Sequence, residues 1–280
     1  MPSSSRAFPD VLASRNANPT WQLAVKATDH DLRVVGRALA HLAWFIFVPL
    51  LVAAQTSPTI ALEAEPHHRL ILKNDVLKVY GVDVASHDAL AMHRHDHDDI
   101  AVILGDATTV STSPGQADLL RISKPGEVRL ASGPRIHSLR NIGPGPYRLI
   151  TIELLRKQSG AHNLCGKQIA NSPQNCQSAA EVDANAPRND VPQFESDQTR
   201  VTSSRLRANR QAAFGEADRD ELIVFGGAAT ISAASGKGPD QSLAPGEVVW
   251  IPRGKAKRAI KNNNDADLSI VVVAVKPNGG

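Results

Sequence analysis

At 280 residues, with 42% apolar and 21% charged side chains, the chain is long enough for two cores and too apolar to be disordered throughout. Aromatic residues make up only 4%, so any core must rest on Val, Ile, Leu and Ala. The formal charge is +3, and no basic stripe with interleaved aromatics runs through the sequence, which argues against a nucleic-acid partner. The densest basic cluster, Lys255, Lys257, Arg258 and Lys261, reads as a solvated strand face.

The run Leu42 to Ala54 is uniformly apolar, follows Arg33 and Arg37, and ends in small residues before Gln55, Thr56 and Ser57. Its length suits the apolar core of a signal peptide better than a membrane span, which needs about 20 residues. Residues 1–54 are therefore expected to be an N-terminal extension with a signal segment and a cut near Gln55. An uncleaved membrane anchor is the alternative, and only in that case is a membrane a partner. Either way the remainder is expected to be periplasmic or extracellular. Cys165 and Cys176 are the only cysteines and share one polar segment, so in an oxidising compartment they are expected to pair.

From Leu70 onward short apolar alternations are separated by Gly, Pro, Asn and Asp, the pattern of an all-β sandwich or barrel. Strands are expected at Leu70 to Leu72, Val76 to Val84, Ile100 to Leu104, Leu119 to Ile122, Glu127 to Leu130 and Tyr147 to Leu155. Residues 156–194 lose the alternation and read as a linker containing Cys165 and Cys176. Strands then resume at Val201 to Leu206, Glu221 to Phe225, Ala229 to Ile231, Glu247 to Ile251, Arg258 to Lys261 and Leu268 to Val275.

The two halves repeat. Pro125-Gly126-Glu127-Val128 returns as Pro245-Gly246-Glu247-Val248, and Asp98-Asp99-Ile100 returns as Asp220-Glu221-Leu222. Two landmarks in the same order and at nearly the same offset indicate duplication of one unit, with halves at 67–155 and 195–277.

The chemistry concentrates in His93-Arg94-His95-Asp96-His97-Asp98-Asp99. On a strand, residues two apart share a face, so His93 and His95 can direct two imidazoles into one cavity. Mixed imidazole and carboxylate shells suit a divalent transition metal such as Fe, Mn, Ni, Cu or Zn. His97 has the same strand parity and is an alternative ligand. His67 and His68, ahead of the first strand, read as surface residues, as does His162.

This pattern resembles the cupin superfamily. Its first motif is met by His93-x-His95, three residues, Asp99, five residues and Gly105, with Asp99 in place of the usual Glu and His87 in place of the leading Gly. Its second is met by Gly126, His137 and Asn141, with Ser132-Gly133-Pro134 at the expected turn. The resemblance implies two tandem jelly-roll-like, double-stranded β-helix barrels. It implies a metal shell of His93, His95, Asp99 and His137 in the first, with Asp99 as ligand or catalytic base.

In the second half the same spacing puts Gly215, Ala217 and Lys257 at the three His positions, so a metal-free barrel is expected there, serving packing, homodimer formation or as a lid. A metal-dependent, dioxygenase-like enzyme acting on a small organic molecule is the leading expectation, with Arg94 and Arg135 placed to meet an anionic substrate. A noncatalytic ligand-binding or structural module, or a membrane-anchored sensor domain, is the alternative.

Overall fold

The structure, a computed structural model, describes residues 58–169, 171–176, 185–235 and 239–277; the apolar run 42–54 and its expected cleavage point lie outside them. The first half contains β1 (Ile60–Ala61), a 3-10 turn (Leu62–Ala64), β2 (His68–Lys73), β3 (Leu77–Val84), β4 (Ala89–His95), β5 (Asp98–Ile103) and β6 (Ala107–Thr112). It continues with β7 (Leu119–Ser123), β8 (Val128–Ala131), β9 (Arg135–Asn141) and β10 (Tyr147–Leu154). These form two five-stranded sheets, ordered β1-β4-β9-β6-β7 and β2-β3-β10-β5-β8. All pairings are antiparallel except β1 on β4.

The second half contains β11 (His162–Asn163), β12 (Arg188–Glu195), β13 (Thr199–Leu206), β14 (Gln211–Phe214) and β15 (Asp220–Phe225). It closes with β16 (Ala229–Ala233), β17 (Gln241–Leu243), β18 (Val248–Ile251), β19 (Arg258–Lys261) and β20 (Leu268–Val275). Its sheets run β11-β12-β13-β20-β15-β18 and β14-β19-β16-β17.

The expected linker at 156–194 needs correction, because β11 and β12 lie within or across it. β12 pairs with β13 along its length, with a register shift between Pro192 and Phe194. Proline cannot donate to a ladder, and the irregularity accommodates it. What remains of the linker is a loop closed by the Cys165–Cys176 disulfide, so the expected pairing is formed. The Asn163 side chain fastens the loop. Its amide donates to the carbonyls of Ile169 (2.9 Å) and Ser172 (2.8 Å), and its oxygen accepts from the backbone N–H of Gln168 and Ile169, both at 2.9 Å.

The repeat holds at atomic detail. The buried Asn141 amide donates to the carbonyls of Val84, Ala85 and Gly145 while its oxygen accepts from Gly143 N–H. Asn262 does the same with Leu206, Arg207, Ala266 and Asn264. Gly126 and Gly246 adopt φ of 81° and 83°, a region L-residues disfavour, and donate to the carbonyls of Ile103 and Phe225 at the ends of β5 and β15. Asp98 and Asp220 accept backbone N–H groups from Gly133 and Arg253, each at 2.8 Å.

Strands β3, β5, β10, β13, β15 and β20 bury apolar residues on both faces, β13 through Val201 and Leu206 alone. On one side their residues line their own half's interior, as Val82, Ile103 and Leu149 do in the first and Leu206, Ile223 and Ile270 in the second. On the other, Leu77, Val79, Ile100 and Ile152 join Phe194, Val201, Leu222, Val271 and Val273 in one buried cluster drawn from both halves. Burial on two faces explains why β5, β10, β15 and β20 read as apolar runs rather than strict alternations.

Candidate metal centre

The site is assembled by the sheet carrying β4 and β9. His93 and His95 occupy alternate positions on β4, and the ladder sets His93 directly opposite His137 on β9. A register irregularity between Leu90 and His93 brings both imidazoles of β4 to the inner face. Nε2 of His95 lies 3.1 Å from Nε2 of His93 and 3.2 Å from Nε2 of His137. The short β1 lies parallel to β4, pairing Ile60 with His93, and the 3-10 turn after it delivers His68 to the same cluster. One nitrogen from each of His68, His93 and His95 lies within 4.8 Å of the other two, and the His68 and His93 ring centroids are 5.0 Å apart.

Each imidazole is engaged from behind. Nδ1 of His68 donates to Oε2 of Glu65 at 2.8 Å, and Nδ1 of His93 donates to the carbonyl of Ala91 at 2.8 Å. Nδ1 of His137 faces Oγ of Ser111 at 3.2 Å, whose hydroxyl donates onward to the carbonyl of Ser138. Nδ1 of His95 lies 3.3 Å from Oδ2 of Asp99, off the line of a good hydrogen bond. With Nδ1 holding the proton, each Nε2 presents a lone pair inward, the tautomer that metal-ligating histidines adopt when outer partners fix the ring.

The spacing fits a metal. Nitrogens about 2.1 Å from one ion lie about 3.0 Å apart in cis-octahedral and about 3.4 Å apart in tetrahedral geometry, and the two measured separations fall between these limits.

Two expectations from the sequence change here. Asp99 is buried, but its Oδ2 contacts the outer nitrogen of His95 and accepts from the Arg135 guanidinium, which places it behind the imidazole rather than beside the Nε2 atoms. His97 follows the end of β4 and turns away, its Nδ1 3.2 Å from Oε1 of Glu153. Gly133 packs against the His97 backbone so tightly that an added Cβ would sit 2.3 Å from its carbonyl, which fixes that turn. His68, expected at the surface, is only 7% exposed and groups with His93 and His95.

Glu65 is the residue the sequence concealed. It is 1% exposed and accepts from the N–H of His67 and Ala91 and from the imidazoles of His67 and His68. Burial alone would raise its carboxyl pKa, but the bonds from His67 and His68 outweigh that and hold it below its ordinary value. The sequence does hold a weak signal, an acid three residues before a His at a strand start.

No family model and no curated protein matches the sequence. Solved structures do match. A salicylate 1,2-dioxygenase mutant from Pseudoaminobacter salicylatoxidans aligns at 10% identity over 74% of this chain and 75% of that one, with a TM-score of 0.51. The same enzyme's mutant in complex with gentisate aligns at 11% over 74% of each chain, with a TM-score of 0.50. A cupin 2 conserved barrel domain protein from Leptotrichia buccalis aligns at 12% over 75% of this chain and 88% of that one, with a TM-score of 0.47. The chain folds as two tandem cupin barrels. At such identities the likeness carries the fold alone.

In the first cupin barrel the His cluster lies in a cavity of about 480 Å3. Burial and the neighbouring imidazoles push the His93 pKa down to about 4, and burial lowers those of His68 and His137 as well, which favours the neutral, coordinating form of these three rings. Val82, Leu90, Leu139 and Leu149 give apolar lining, and Arg121, Arg129 and Arg135 line the cavity as well. Arg129 is tied to Glu127 at 2.7 Å and Arg135 to Asp99. Arg121 has no ion pair among the described residues; burial and Arg129 lower its pKa. Lys167 and Gln168, on the disulfide-closed loop, also face the cavity.

Proposed function

We propose that the first barrel is a metal-dependent oxidoreductase of dioxygenase type acting on a small organic acid, in a protein exported from the cytoplasm. The observation that carries it is the clustering of the His93, His95 and His137 Nε2 atoms, with His68 beside His93 and His95, in a cavity whose polar lining includes three arginines. A divalent transition metal (Fe, Mn, Ni, Cu or Zn) held there supplies Lewis-acid or redox chemistry at the positions the imidazoles leave open.

The chain's own residues do the rest. Arg121, whose donors are uncommitted, grips the carboxylate of the substrate, and Leu90, Leu139 and Leu149 exclude water from its apolar body. Asp99, held by Arg135, orients His95 from behind. The salicylate and gentisate named for the structurally similar dioxygenase are acids of the size such a cavity admits, and they make the first probes. Dioxygen uptake by the full chain, loaded in turn with each of the five metals, tests the reading across these acids, catechols, flavonols and thiols. Uptake that disappears in His137→Ala supports the enzyme.

A second reading has its own observation. Four imidazoles are enough to fill a tetrahedral shell, and a closed shell is the mark of a structural or purely binding site. Tight binding of an acid with no dioxygen uptake under any metal supports this module. Export rests on the formed Cys165–Cys176 disulfide and the Leu42 to Ala54 run. Sequencing the mature amino terminus after expression with an export system tests it, and a start near residue 55 is the expected result.

A further inference from the structure

The second barrel has a cavity of its own, about 460 Å3, bounded by β12, β13, β14, β15 and β20. Strand ladders make it the counterpart of the metal cavity. Glu221 pairs with Ala274 and Ile251 as Asp99 pairs with Glu153 and Ala131, and Asp190 faces Ser204 as His68 faces Val82. Phe214 pairs with Arg258 as His93 pairs with His137, one position from the Gly215 and Lys257 that sequence spacing selects.

No histidine lines this cavity. Four cations do instead, and they fall into two groups. Arg188 is committed: it pairs with Asp190 at 2.7 Å, donates to the Ala213 carbonyl at 2.9 Å and lies 4.4 Å over the Phe214 ring. Arg219 is committed to Glu216 at 2.7 Å and Asp218 at 3.0 Å. Arg200 has only a loose partner, Glu195 at 3.8 Å, and Lys257 has no ion pair among the described residues.

The remaining acid, Glu221, is 4% exposed and already accepts the N–H of Gly215 at 2.9 Å. Burial raises its carboxyl pKa, with Glu216 adding to the effect, so it competes poorly for the free cations. Two cations with open donors thus face a concave space whose volume suits a small ligand.

The geometry points to the second barrel as a metal-independent binding site for a small oxyanion, gripped by Arg200 and Lys257. Such a ligand satisfies both cations at once, through the planar fork of Arg and the mobile ammonium of Lys. The site is separate from the metal centre and independent of the reaction assigned to it.

Isothermal titration of the full chain with succinate, and separately with inorganic phosphate, tests it in both metal-loaded and chelator-treated protein. A saturable event that is equal with and without metal is expected with at least one of the two anions, and the responding anion names the headgroup as carboxylate or phosphate. Arg200→Ala and Lys257→Ala should each weaken that event about tenfold or more, and Arg121→Ala should leave it unchanged. Both substituted side chains are solvent-accessible, and circular dichroism checks that the fold survives. Absence of saturable binding by either anion overturns the site, as does binding that persists in the double variant or disappears only in Arg121→Ala.

Discussion

Glu65 never faces the cavity, yet it decides which nitrogen His68 offers to it. Its carboxylate holds Nδ1 of His68 and takes three more donors, so Glu65→Gln removes a charge from the back of one ligand while keeping its shape. Metal affinity should fall roughly 10- to 100-fold, measured by competition with a chelating dye. His97→Ala should leave affinity and stoichiometry unchanged, because that ring points to Glu153. At this scale the sequence revealed the pair on β4 and the His at the second motif, since an alternating His pair is a local signal. His68 had no such signal. It reaches the cluster through the parallel pairing of the two-residue β1, a contact between distant segments that no local pattern records. Asp99 sat at the right spacing for a ligand, but Arg135, opposite His95 in the ladder, holds its carboxylate behind the imidazole.

Among the elements, the strands legible in the sequence are those buried on apolar faces, such as β3, β5, β10, β15 and β20. β6, β9 and β14 gave no clear pattern, because strands of the cavity-bearing sheets turn polar or small side chains inward: Ser111 and His137 in the first barrel, Gly215 just past β14 in the second. β12 was read as linker for the same reason, with Arg188, Asp190 and Pro192 at positions where a core strand would carry Val or Ile. The repeated asparagines are the most exacting element-scale feature. Asn262→Ala leaves three carbonyls and one N–H without their partner, and Asn262 is fully buried. With about 1 kcal/mol lost for each of these four groups, the expected destabilisation is about 4 kcal/mol, measured by urea unfolding. Asn141→Ala should cost a similar amount.

Across the whole molecule, the largest buried cluster takes residues from both halves, so the two barrels share a core in addition to their own interiors. Thermal unfolding should therefore show one transition by near-ultraviolet circular dichroism and by calorimetry alike. Phe194→Ala, at 0% exposure within that cluster, should lower stability by about 3 to 5 kcal/mol without splitting the transition. Two separate transitions would show that the halves are independent. The disulfide closes a loop spanning 11 positions, and Cys165→Ser with Cys176→Ser should cost about 2 to 3 kcal/mol in the chain-entropy account, read as a lower midpoint in urea. The duplication itself was legible from two short matches, because the turn after β5 and the acid at its start need particular residues in both copies.

X-ray absorption on the zinc-loaded full chain addresses the metal centre most directly. Four imidazole nitrogens at about 2.0 to 2.1 Å are expected, falling to three in His68→Ala and staying at four in Asp99→Asn. A shell of three imidazoles and a carboxylate that ignores His68→Ala but changes in Asp99→Asn would contradict the four-imidazole centre.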